Sequence, residues 1–243
     1  MADERLYFTG DDEADRLLAE NPAALLIGFA LDQQVPVPKA FSGPLELKRR
    51  IGTLDPGRIA AMDPAALEEA FRARPALHRF PGSMAKRTQE LAAYLEQRYD
   101  GDAARLWTEA ADGRDLQARL YDLPGFGTMK VQTLLAVLAK RLGVRPDGID
   151  DVLPEHMTLG DVDSPAALAE YQAAKRERKA RSAAQRTAQA GREASSSPQG
   201  LDTAGREASS SAICERAHLP YRRSRCWYVR SARRKSSSRN AGQ

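Results

Sequence analysis

The chain has 243 residues, 42% of them apolar, enough for one large or two small cored domains. It contains no run of 18 or more apolar residues, opens on the acidic MADERLYFTGDDEADR rather than a basic leader, and has only Cys214 and Cys226, too few for a disulfide framework or a four-cysteine iron–sulfur site. A cytoplasmic, membrane-free protein is expected. Its pI near 9.1 comes from residues 181–243, with 13 Lys and Arg against 4 Asp and Glu, whereas residues 1–180 carry 24 against 29. General attraction to a polyanion would therefore come from the tail alone.

In chain order, residues 1–181 read as helices punctuated by Pro and Gly, with no useful period-2 strand, so the predicted fold class is all-α. Asn21-Pro22 starts an apolar helix through Leu25, Leu26 and Phe29; Pro38 opens a second with Phe41, Leu45 and Ile51; Asp63-Pro64 caps a third with Leu67 and Phe71. Ser83 is placed as the cap of a fourth, striped by Leu91, Tyr94 and Leu95, and Phe80 as a core anchor before it. Arg114 to Tyr121 carries Leu116 and Leu120 one turn apart, and Ser164-Pro165 caps a last helix with Leu168 and Tyr171. Residues 182–243 show no helical or strand periodicity and contain AGREASSS twice, at 190–197 and 204–211; this low-complexity tail is expected to be disordered. Its Arg233-Arg234-Lys235 run could grip phosphates or have no role.

Between two of these helices lies LPGFG, residues 123–127. Val131, Leu134, Leu135, Leu138 and Leu142 fall on one face of the following helix and match Leu116 and Leu120, so residues 114–143 read as a tight helical hairpin. Pro124 stops the first helix, and Gly125 and Gly127 are expected to allow positive φ and leave the backbone bare. Bare amides at a helix start make an anion site, here from Gly125, Phe126, Gly127 and Thr128 with Lys130 beside them.

Leu-Pro-Gly-apolar-Gly in this setting resembles the helix-hairpin-helix motif, whose amides hold a DNA phosphate without reading sequence. The likeness extends over about residues 30–143 to the base-excision DNA glycosylases that carry the motif. LLIGFALDQQVPVPKAF (25–41) is similar to their early helix and glutamine loop, and HRFPGSMAKRTQELAAYL (78–95) to the helix before the hairpin. The resemblance implies a glycosylase-like helical-bundle fold, with a base pocket between a central bundle and a smaller one formed from residues 1–30 and 160–181. It also implies double-stranded DNA as partner, a monomer, a monovalent cation at the hairpin carbonyls, and Gln33 or Gln34 filling the gap left by a flipped base. The missing cysteines disfavour the subfamilies closed by an iron–sulfur loop. Lys86 and Arg87, read as lying in the first turn of their helix where the dipole disfavours cations, become candidate phosphate contacts.

Bifunctional relatives attack the sugar with a lysine at the position held here by Met129; Lys130 lies one residue on, about 100° around the helix. Lys130 is accordingly read as a phosphate contact, with the nucleophile and plain surface charge as alternatives. A monofunctional enzyme would instead use an aspartate after the hairpin, and Asp151 and Asp147 are the candidates beside Asp150. His156 is read as a solvated loop residue. A non-catalytic DNA-binding module and a helical protein-interaction domain are the rival readings.

Overall fold

The computed structural model describes residues 4–195, which form one compact unit. Among them there is no β-strand, as the all-α expectation requires, and no helix is long and apolar enough to cross a membrane. Ten α-helices are joined by two 3-10 turns: α1 Asp12–Glu20, α2 Pro22–Leu31, α3 Val37–Ile51, α4 Pro56–Ala60, α5 Pro64–Arg72, α6 Pro81–Tyr99, α7 Arg105–Thr108, α8 Gly113–Tyr121, α9 Thr128–Lys140 and α10 Pro165–Ser195.

Local chemistry sets most boundaries. Asn21 and Asp63 accept the N–H groups of Ala24 and Ala66, each followed by a proline at the first helical position, so α2 and α5 start where expected. Asp55 and Asp112 cap α4 and α8 in the same way. The fourth predicted helix starts earlier than its proposed Ser83 cap: α6 begins at Pro81 after Phe80, with no side-chain cap. Pro at the first position fixes φ and has no N–H to satisfy, which outweighs the missing cap.

The core is centred on α2, whose residues from Ala23 to Leu31 are all buried. It packs against α1, α3 and α6, while α4 and α5 pack on α6. Phe41 of α3 meets Phe8 and Phe29 edge-on, each at 5.1 Å between ring centroids; truncating such a ring costs about 3–5 kcal/mol. Residues 22–30 thus share a bundle with residues 37–99, and the expected small bundle of 1–30 with 160–181 does not form a separate unit. The all-apolar α2 needs partners on every side, which one return helix cannot supply.

α10 also differs from expectation. It continues past Arg181 to Ser195 rather than ending at 181, because the alanine-rich segment is filled with good helix formers and carries the Glu177–Arg181 pair at 2.6 Å. The rest of the predicted tail, from 196, lies outside the described residues, as do Cys214, Cys226 and the 233–235 basic run.

Candidate nucleic-acid interface

α8 and α9 form the expected hairpin. Leu116, Leu120, Val131, Leu134, Leu135 and Leu138 are fully buried, and Leu123 and Phe126 turn their side chains into the same core. Burying Phe126 pins the middle of the turn while its neighbours Gly125, Gly127, Thr128 and Met129 stay exposed. The Phe126 N–H is donated to the Leu123 carbonyl at 3.1 Å, closing the turn. The N–H groups of Gly125, Gly127, Thr128 and Met129 find no acceptor among the described residues. Phe126 therefore contributes anchorage rather than an amide, and the open donors are those around it.

The two glycines differ. Gly125 has φ +78°, the left-handed region that glycine enters without strain, and the stem of Arg87 lies 3.1 Å from where a Cβ would stand. Gly127 instead has φ −101° and caps α9 in extended backbone, with open space where a Cβ would be. Positive φ is thus required once, and the second glycine leaves the amide face clear. The Pro124, Gly125 and Phe126 carbonyls take no N–H donor among the described residues.

The glutamine loop stands beside this turn. Arg87 bridges them: its stem covers Gly125 and its Nη1 donates to Gln33 Oε1 at 2.7 Å. The Gln33 carbonyl faces His78 Nε2 at 2.9 Å, and His78 Nδ1 accepts the Phe80 N–H at 3.1 Å. Since Nδ1 is an acceptor, the neutral ring carries its proton on Nε2 and donates to Gln33. Burial, with Arg79, Lys39 and Arg87 nearby, pushes the His78 pKa down, which keeps that form in place. Gln33 is therefore committed to the protein, whereas Gln34 is exposed at φ +58°, an uncommon conformation for a residue with a side chain. Gln34 is the glutamine presented to solvent.

Two further expectations change here. Phe80, expected in the core, is 42% exposed at the start of α6, with the Arg79 guanidinium 4.8 Å from its ring centre. With α6 starting at Pro81, Lys86 and Arg87 fall in the second turn, where the helix dipole has faded. Lys86 is a solvated side chain 3.9 Å from Glu90 and lines a groove with Pro64 and Glu68 of α5, whereas Arg87 meets Gly125 and Gln33.

Lys130 enters a cleft of about 440 Å³ between the end of α2, the start of α9 and α10. Its Nζ donates to the Ala30 carbonyl at 3.1 Å, one of the unpaired carbonyls at the C-terminus of α2, and lies 5.5 Å from the centre of the Phe126 ring. Burial drives its pKa down to about 8, with Arg87 adding to the fall and Asp32 opposing it. Asp32, the C-cap of α2, is the carboxylate in this cleft, its Oδ2 3.6 Å from Lys175 Nζ. The buried Tyr171 completes the wall, its hydroxyl pushed up to about 12 by burial and by Asp32. Met129, one residue before Lys130, is 60% exposed at the rim.

Asp147 and Asp151 are elsewhere. The Asp147 carbonyl accepts the Gly113 N–H at 2.8 Å, at the end of α8 remote from the turn. α8 carries that end, Gly113, eight residues from Tyr121 at the turn, about 12 Å of rise. Ile149 is buried against Gly113 and holds the segment there, so both aspartates remain exposed, Asp150 is paired with Arg145 at 2.7 Å, and His156 is exposed as well. The carboxylate that sequence reasoning missed is Asp32, adjacent to the glutamines it singled out. Its available signal was an acid capping the C-terminus of an apolar helix, where the dipole disfavours negative charge.

Among the described residues, no group of three or more His, Cys, Asp or Glu is arranged to hold a metal ion. No family model, curated protein or solved structure matches the chain.

Proposed function

We propose that the protein is a DNA-binding base-excision-repair protein of the glycosylase kind, working in the cleft that holds Asp32 and Lys130. The observation that carries this reading is the outward-facing set of unpaired amides at Gly125, Gly127, Thr128 and Met129, directly beside the glutamine loop and the mouth of that cleft. A duplex phosphate would accept these N–H groups at the positive end of α9. The solvent-facing Gln34 and the exposed Phe80 ring would occupy the space left in the stack by an extruded nucleotide.

In the cleft, breaking the N-glycosidic bond sends the electron pair out with the base and leaves positive charge on the sugar. Asp32 is the carboxylate placed to stabilise that charge. Water then adds at C1′ and loses a proton, giving an abasic site. With a pKa of about 8, about a tenth of Lys130 is neutral at pH 7. Attack by this amine on C1′ is the competing route and would leave a covalent imine.

The test is an oligonucleotide panel carrying uracil, alkylated and oxidised bases, assayed for base release, with borohydride trapping alongside. Release without a trapped adduct supports the water route, and a trapped adduct at Lys130 supports the amine route. Salt-dependent duplex binding with no release from any lesion would replace the enzyme with a binding module, and absence of duplex binding would overturn the reading altogether.

A further inference from the structure

α10 contributes more to the cleft than one aromatic wall. Tyr171, Lys175, Arg178, Lys179 and Ser182 all line it, spaced at intervals of four, three, one and three residues along a single stripe of the helix. From residue 171 to 185 the helix holds five cations, Lys175, Arg176, Arg178, Lys179 and Arg181, against one acid, Glu177. That acid sits on the opposite side of the helix and is already paired with Arg181 at 2.6 Å. On the cleft side Lys175 is 3.6 Å from Asp32, while Arg178 and Lys179 have no carboxylate within ion-pair distance among the described residues. Counting Lys130, four cations face one carboxylate across a cleft of about 440 Å³.

Such an excess of like charge in a narrow, partly apolar space raises the local potential and favours an anion over water. Lys175 to Lys179 spans about 6 Å of helix axis, within reach of two successive phosphates on one strand. We propose that the Lys175, Arg178 and Lys179 stripe of α10 is a second grip on the DNA backbone, across the cleft from the amides of the hairpin turn. The nucleotide between the two grips is then the one brought to Asp32 and Lys130. This assignment rests on the base-excision reading and adds to it the path of the strand on the far side of the cleft. Phosphodiester DNA is the occupant, since the hairpin amides opposite the stripe complement the same repeating anion.

The experiment compares duplex affinity of the full chain, across a salt series, between R178A/K179A and R176A/R181A. Both variants remove two exposed cations from the same helix, so the overall charge change is equal, and circular dichroism verifies that the helix persists. The expected result is that R178A/K179A lowers the slope of log affinity against log salt by up to about 1.8, from two phosphate contacts at about 0.9 each, while R176A/R181A changes it by much less. Equal losses in both variants, or no loss in either, would overturn the second grip while leaving duplex binding by the hairpin in place. Wild-type protein that fails to bind duplex at any salt would instead remove the base-excision reading beneath it.

Discussion

Replacing Lys130 with methionine should stabilise the protein at neutral pH, because the charged amine sits in the cleft at a net cost. Lowering its pKa from 10.5 to about 8 corresponds to about 3 kcal/mol against the protonated form in the folded state. Methionine keeps most of the stem but leaves the Ala30 carbonyl without the donor now at 3.1 Å, returning about 1 kcal/mol. The net expectation for Lys130→Met at pH 7 is a gain of about 2 kcal/mol, roughly 4–8 °C in Tm for a unit of this size. The pH dependence carries a definite sign. Between about pH 8 and 10.5 the unfolded chain still holds the lysine proton while the folded one has released it, so wild-type stability rises with pH across that window relative to the variant. Urea unfolding of both proteins at pH 7, 9 and 10.5 measures this directly. The gain should shrink and then reverse by about 1 kcal/mol, the lost hydrogen bond alone. A Lys130→Met protein equally or less stable at pH 7, or a difference indifferent to pH, would refute the reasoning and make the lysine a simple cap of α2.

Asp32→Asn should abolish any base release and, because Asp32 supports the charged form of Lys130, push the amine pKa below about 8, readable from the pH dependence of its chemical labelling. Gly125→Ala should cost about 1–2 kcal/mol and displace Arg87, whereas Gly127→Ala, at φ −101° in open space, should leave stability unchanged within about 0.5 kcal/mol; paired thermal melts check both. Asp15→Ala should cost about 2–4 kcal/mol, since its Oδ1 accepts Phe8 N, Thr9 N and Thr9 Oγ1 at 2.8–3.1 Å, and proteolysis near Thr9 should accelerate accordingly.

The parts of the fold that were legible in the sequence are those with a local cause. Asn21-Pro22, Asp63-Pro64 and Ser164-Pro165 marked helix starts because cap and proline act within a few residues. The hairpin stripe was legible because its apolar spacing has no other use. Phe80 and the Asp147–Asp151 loop were not, because burial depends on which distant surface a segment meets. Ile149 finds Gly113 and holds the aspartates at the far end, and Phe80 follows His78, which is committed to Gln33. Asp32 escaped notice for the same reason: its environment is made by α9 and α10, which begin more than ninety residues later.

The position of Lys130 shows how a correct local argument can still miss a site. A one-residue offset from Met129 turns the side chain by about 100°, which places it on the flank of the Val131, Leu135 and Leu138 stripe rather than opposite it. On an isolated helix that flank would face water. In the folded chain it faces the end of α2, where the Ala30 carbonyl and Asp32 draw the amine inward and Phe126 shields it. The rotation that carries Met129 out to the rim therefore carries Lys130 into the cleft, and a long flexible stem spans the remaining distance. A buried ammonium brings no packing advantage over a methionine at the same position, so on the proposed reading its place beside a carboxylate would serve the anion or sugar it is to meet rather than the stability of the fold.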